Sequence, residues 1–163
     1  NYMKEKYIRP DIIESAVSSY GIENILKIYK KSITLNKLIN KNVGDDVMFS
    51  YKRASNILND ELKDKTIELS NSTDPILFNN DYEKYLYQKI QSLRKYFSNI
   101  GREENYEKTL NNLASTKKEV SDFFDNVIVN DKDISIKKNR LELLQMLCKT
   151  FDNYLNFSKI EST

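Results

Sequence analysis

The sequence predicts an all-α fold, a bundle of six to seven helices forming one domain over residues 1–163. Three observations carry this expectation. Only 3 glycines and 2 prolines punctuate 163 residues, so sharp turns are few and long helices are favoured over a many-turned β fold. Apolar side chains recur every three to four residues in one segment after another. No alternating strand pattern of useful length occurs, apart from the short stretch Val127–Val129. A chain of this size can bury one sizeable core without metal or disulfide help, and no internal repeat is detectable.

The elements follow in order. Asp11, after Pro10, is placed to cap a helix over Ile12–Ser19 that Gly21 ends. A second helix spans Ile22–Asn40, where Ile22, Ile25, Leu26, Ile28, Tyr29, Ile33, Leu35 and Ile39 cover about half the circumference. Gly44 breaks the chain, Asp45 or Asp46 can cap, and a third helix runs to Leu62. Residues 64–80, with Pro75 and a cluster of Ser, Asn and Asp, read as a loop holding a short helical turn around Ile67. Asp81–Ile100 forms a further helix, stopped by Gly101. Glu103–Asn126 forms the next, with Glu103, Glu104 and Glu107 complementing the dipole in its first turn. After a polar turn at 130–133, a last helix extends over Ile134–Asn156 with Ile136, Leu141, Leu143, Leu144, Leu147, Phe151, Tyr154 and Leu155 as its apolar set.

Composition excludes several chemistries. Histidine is absent, and the single cysteine, Cys148, sits in an apolar helical run. A histidine general base, a zinc site and a disulfide framework are thereby set aside, and Cys148 reads as a small core hydrophobe in a reducing, intracellular protein. No nucleophile elbow or phosphate-loop motif accompanies the serines and lysines. No run approaches the length of a membrane span and residues 1–15 lack a signal-peptide core, so no membrane partner is expected. The net charge of +2, from 26 basic and 24 acidic residues, means that any nucleic-acid-binding surface has to be a local patch. The chain opens on Asn1 and reads as a segment of a longer polypeptide.

Two local patches stand out. In Phe49–Leu58, Phe49, Lys52, Arg53 and Asn56 fall at i, i+3, i+4 and i+7, while Val47, Tyr51, Ala54 and Leu58 fill the opposite stripe. One side packs, and the other presents an aromatic ring, two cations and an amide, groups suited to the phosphates and bases of single-stranded or looped RNA. The alternative is a solvated face with one partly tucked phenylalanine. On the second helix Lys27, Lys30, Lys31, Lys37 and Lys41 share the arc opposite the apolar residues, with no acidic residue between Glu23 and Asp45. That ridge is either a solubilising face or the seat of an anionic partner, since unpaired lysines at i and i+4 repel one another.

On the last helix Arg140 falls in the apolar stripe with Leu147 and Phe151. It must be paired there or reach a site, because an unpaired buried cation costs several kcal/mol; Asp122 and Asp125 are the expected partners. Lys137 and Lys138 lie nearby at the start of that helix. Of the 11 tyrosines, Tyr29, Tyr51, Tyr82, Tyr106 and Tyr154 fall on core stripes, while Tyr20 is placed to stack on a base.

Four segments in order, Arg9–Ala16 (RPDIIESA), Tyr51–Leu58 (YKRASNIL), Phe123–Val129 (FFDNVIV) and Asn139–Leu147 (NRLELLQML), resemble the C-terminal region of the bacterial glycyl-tRNA synthetase beta subunit, a helical anticodon-binding module of the DALR type. The match covers nearly the whole chain, is thinnest over Thr66–Leu86, and includes a polar end, FSKIEST, similar to the natural C-terminus of that subunit. Lys137 stands where the family commonly has Arg, and Glu23 and Asn24 replace an acidic pair. A lysine there keeps a phosphate contact but loses the planar fork that reads bases.

The resemblance implies a tRNA-binding domain that holds the anticodon region of glycine tRNA and is not itself catalytic. The parent ligase is implied to be cytoplasmic and to use ATP and glycine on its alpha subunit, the implied protein partner, with no cofactor in this domain. It points to Lys52, Arg53 and Asn56 as tRNA contacts, with Lys137, Lys138, Asn139 and Arg140 second. Two rivals are a protein-docking domain, which predicts exposed apolar residues around Ile57 and Met48, and an arginyl-type DALR module with the same helix order.

Overall fold

A computed structural model describes residues 8–20, 25–63, 66–100 and 105–160. Among these residues it contains seven α-helices and two 3₁₀ turns and no strand. Helix α1 spans Pro10–Tyr20. The proline occupies the first helical position, where its missing N–H costs nothing. Asp11, expected to cap a helix starting at Ile12, instead lies within the first turn because the helix begins at Pro10; its carboxylate accepts from the Ile12 N–H at 3.0 Å and pairs with Arg9 at 2.6 Å. Helix α2 spans Ile25–Leu38; Gly21, expected to end the first helix, and Ile22, expected to open the second, lie outside the described residues.

Helix α3, Asn42–Leu62, corrects one expectation. Gly44 does not break the chain but lies within the first turn, and neither Asp45 nor Asp46 caps, because the helix begins ahead of both. A Cβ at position 44 would sit 2.3 Å from the Ile39 carbonyl oxygen and 2.5 Å from its Cα. The glycine is needed for close backbone approach between α2 and α3, not for a turn.

Residues 66–80 form the expected loop, with its one helical turn at Pro75–Leu77 rather than at Ile67. The Asp74 carboxylate accepts from the Ile76 N–H at 2.9 Å to start that turn. Helix α4, Asp81–Asn99, opens on a capping box in which Asn80 accepts from the Tyr82 N–H and Glu83 accepts from the Asn80 N–H, both at 2.9 Å.

The helix expected over Glu103–Asn126 is two, α5 at Tyr106–Ala114 and α6 at Lys117–Asn126. The break falls on Ser115 and Thr116, whose hydroxyls donate to the carbonyls of Asn112 and Leu113 and compete with the helical ladder. The 127–129 stretch has no ladder partner among the described residues. It keeps strand-like alternation, with Val127 and Val129 buried and Ile128 75% exposed. Helix α7, Ile134–Asp152, starts on Asp133, which accepts from the Ser135 N–H at 2.8 Å. It stops short of Asn156, and a 3₁₀ turn at Phe157–Lys159 follows.

Helix α3 is the centre of the bundle, packed on α5, α6 and α7, while α4 covers α6 and α7, and α1 lies against α2 and the C-terminal turn. Leu35, Ala54, Leu86, Leu113, Phe123, Leu144 and Phe151 are fully buried in the shared core. No described helix is long and apolar enough to cross a membrane.

Candidate nucleic-acid interface

The buried stripe of α3 is the one the sequence predicts, with Val47, Tyr51, Ala54 and Leu58 all inside. The opposite side is not one face but two flanks. Phe49 and Arg53 lie on the flank toward α6, and Lys52 and Asn56 lie on the flank toward the C-terminal 3₁₀ turn.

On the α6 flank the Arg53 guanidinium is exposed and sits 4.8 Å from the Phe124 ring centre and 5.7 Å from that of Phe49. The Lys117 ammonium lies 5.5 Å from the Phe49 ring centre and pairs with Asp46 at 2.6 Å. Cations over aromatic faces gain roughly 0.5–1 kcal/mol at such exposed sites. More important for binding, the rings fix a guanidinium that has no ion-pair partner among the described residues. Half-buried Phe49 therefore carries cations instead of offering an open platform for a base, the role the sequence suggested. Lys117 and Phe124 were missed in the sequence because they stand on another helix. Phe124 enters the sequence reading as part of the FFDNVIV segment that carries the family resemblance.

On the other flank Lys52, Ser55, Asn56 and Asn59 form one wall of a groove of about 750 Å³. Phe157, Ser158 and Ile160 form the facing wall, and Tyr51, Leu58 and Cys148 line its floor. The floor is fixed by Asp152, which accepts from the Tyr51 hydroxyl at 3.1 Å and from the Phe157 N–H at 3.3 Å. Burial pushes the Tyr51 hydroxyl well above its ordinary value, with Asp152 reinforcing the shift. Burial likewise raises the Asp152 carboxyl, against the opposing effect of the two hydrogen bonds it accepts. The Cys148 thiol is pushed up to about 12, first by burial and then by Asp152. Cys148 is thus an inert core thiol, as its sequence setting implies.

The lysine ridge of α2 divides. Lys27, Lys30, Lys37 and Lys41 are exposed. Lys31 corrects the expectation: it is 1% exposed, its ammonium donates to the Tyr154 carbonyl, and it lies 3.8 Å from the centre of the Tyr154 ring. Counted from Ile28, it falls at i+3, with Leu35 at i+7, on the buried side of α2. It fastens α2 to the chain beyond α7 and is not available to RNA.

The second predicted contact segment is structural as well. Arg140 is 5% exposed and donates to Glu83, Asp131, the Ile128 carbonyl and Asn79, all at 2.7–2.8 Å. The expected partners, Asp122 and Asp125, engage Lys118 and Ser121 on their own helix instead. Arg140 thus ties the start of α4 to the 127–133 loop. Lys137 pairs with Glu61 at 2.6 Å, largely covered, and Asn139 exchanges two hydrogen bonds with the Asp74 backbone. Lys138 is half-buried beside them. The backbone N–H of Asp133, and then Arg140, hold the Asp131 carboxyl below its ordinary value. The side chain of Tyr20 lies outside the described residues.

No cluster of three metal-ligating side chains occurs among the described residues. Met48, which the docking rival would expose, is buried, and Ile57 is half-buried.

Comparison with known proteins places this geometry in a family. Residues 47–162, starting within α3, match the DALR anticodon binding domain. The chain is 36% identical over 154 residues to the glycine–tRNA ligase beta subunit of Rickettsia prowazekii (strain Madrid E), covering 94% of this chain and 22% of that protein. It is 36% identical over 159 residues to that of Rickettsia bellii (strain OSU 85-389), covering 98% and 22%. To that of Rickettsia africae (strain ESF-5) it is 31% identical over 163 residues, covering 98% and 24%. The chain thus spans less than a quarter of the length of these curated relatives. With its all-helical bundle, its two-flanked α3 and a family match over most of its length, the chain belongs to the DALR anticodon-binding domain family.

Proposed function

We propose that this chain is the tRNA-binding module of a glycine–tRNA ligase beta subunit, holding the anticodon region of glycine tRNA. Glycine and ATP are then handled on the alpha subunit of the same cytoplasmic enzyme. The observation that carries the reading is Arg53, exposed, without an ion-pair partner among the described residues, and braced between the rings of Phe49 and Phe124. A planar guanidinium held in that way is prepared for a phosphate or for stacking on an unpaired base. Lys117 beside it, Lys52 across the helix crest, and the exposed Lys27 and Lys30 on α2 add phosphate contacts.

Footprinting of glycine tRNA with and without the chain tests the reading. Protection is expected over the anticodon arm and not over the acceptor stem. Uniform protection, or none, would contradict it.

A second reading is favoured by one observation: Ile76, Ile128 and Ile134 are 89%, 75% and 72% exposed. They stand around the Arg140 network, on segments it and Asn139 join. Exposed apolar side chains of this kind suit docking onto another part of the ligase, the alpha subunit included.

A further inference from the structure

The groove between α3 and the C-terminal turn combines two kinds of surface. Its floor is apolar, with Tyr51, Leu58 and Cys148 buried and Phe157 packed against Tyr51 and Phe151 at ring-centre distances of 5.6 and 5.7 Å. Its rim is polar. Ser55, Asn56 and Asn59 follow Lys52 at i+3, i+4 and i+7 and so share one line along the helix. Ser158 faces them from the other side. The Ser55 hydroxyl is used locally, donating to the Lys52 carbonyl at 3.3 Å. Both carboxamides, Asn56 and Asn59, are exposed and make no hydrogen bond to a described residue.

We propose that this groove takes a single unstacked nucleobase from an RNA loop. The base lies over the apolar floor, and the Asn56 and Asn59 amides read its edge. The inference rests on the RNA-binding reading given above and assigns the α3 flank a part in it. The size, about 750 Å³, lies within the range of pockets that hold small ligands, roughly 300–1,000 Å³, and leaves room for a base with its sugar. An apolar floor with a polar rim matches a heteroaromatic ring that has hydrophobic faces and hydrogen-bonding edges. A carboxamide presents a donor and an acceptor side by side, the pattern found on nucleobase edges. The charge at the rim comes from Lys52 alone among the lining residues, so the groove suits one base and its phosphate rather than a long strand. The α6 flank, with Arg53 and Lys117, then receives the phosphates of neighbouring nucleotides.

The test uses the chain and an RNA hairpin with the anticodon stem and loop of glycine tRNA. The loop bases are replaced one at a time by abasic sites. The groove predicts that one loop position weakens binding by about tenfold when its base is removed, a loss typical of one well-made base contact. An Asn56→Ala, Asn59→Ala variant is expected to lose a similar factor with the intact loop and nothing further with that abasic loop. Both substitutions lie on an exposed helix face where alanine favours the helix, so the variant folds. Equal binding of the variant and the unaltered chain to every loop overturns the groove assignment while leaving the RNA-binding reading in place. The same result is expected if a protein segment occupies the groove. No binding of the intact hairpin by the unaltered chain overturns the RNA-binding reading and the groove with it.

Discussion

The Arg53 guanidinium lies 4.8 Å from the centre of the Phe124 ring, so the exposed cation of α3 is held in place by a side chain of α6. Through that contact the packing of two helices sets the position of a charge at the surface. Phe124→Leu keeps an apolar residue at a half-buried site but removes the face that holds the guanidinium. It is expected to melt within a few degrees of the unaltered protein and to bind tRNA several-fold more weakly. Thermal melts and filter binding on the same samples check this.

Lys117 extends the patch from the α6 side. Its pair with Asp46 is largely solvated, with side chains 48% and 34% exposed, so Lys117→Ala should change stability by well under about 1 kcal/mol. Its effect is expected in RNA binding: the slope of log affinity against log salt concentration falls by about one. A salt titration of tRNA affinity measures that slope, and an unchanged slope would remove Lys117 from the interface.

Neighbouring lysines of α2 should behave in opposite ways. Lys31 is buried against Tyr154, whereas Lys30 is exposed. Lys31→Ala leaves a cavity and removes the hydrogen bond to the Tyr154 carbonyl, and is expected to cost about 2–4 kcal/mol. Lys30→Ala is expected to leave stability within about 0.5 kcal/mol and to lower tRNA affinity. Urea unfolding of both variants separates the two roles.

The Arg140 network predicts a stability effect with little direct effect on RNA. Arg140→Leu strands the fully buried Glu83 and should cost about 3–5 kcal/mol. Glu83→Gln retains the capping box and leaves Arg140 its bond to Asp131, so it should cost less. Chemical denaturation gives both values, and equal costs would show that the charge of Glu83, not its capping, is what matters.

The pH behaviour of Asp152 has a definite sign. Its carboxyl is raised by burial in the folded state, so its contribution to stability is fully present below the ordinary carboxylate range and is lost as pH rises through the folded value. Asp152→Asn mimics the protonated group, since its carboxamide oxygen can accept from the Phe157 N–H while its NH2 donates to the Tyr51 oxygen. It should therefore melt at the same or a higher temperature at neutral pH and show a flatter pH dependence. Asp152→Ala leaves both donors unpaired and should cost about 1–3 kcal/mol. Melting curves across the acid range distinguish these outcomes.

Much of this fold is legible from apolar spacing, because a helix declares its buried stripe residue by residue. Val47, Tyr51, Ala54 and Leu58 on α3, and Leu141, Leu144, Leu147 and Phe151 on α7, are buried as their periodicity implies. What the pattern does not contain is the company each surface keeps. Phe49 and Lys52 share the polar side of α3 in a helical projection, but α6 approaches one flank and the C-terminal turn the other, which divides the site in two. Lys31 shows how a residue at the edge of a stripe is decided by its neighbours, since its charge says solvent and its position beside Ile28 and Leu35 says core. Arg140 was readable as paired, but its partners come from α4 and the 127–133 loop, a distance in sequence that local spacing cannot span. The break between α5 and α6 had a local signal in the paired hydroxyls of Ser115 and Thr116, outweighed by the continuous apolar stripe on either side.

The most direct test of α3 as the RNA-binding helix is the affinity of a Lys52→Ala, Arg53→Ala variant for glycine tRNA, measured by filter binding with circular dichroism as the control for folding. One substitution lies on each flank, so the variant removes a cation from the groove and one from the α6 patch together. An unchanged helical spectrum and an affinity at least about tenfold weaker are expected, with a smaller salt dependence. An unchanged affinity in a folded variant would contradict that role of α3.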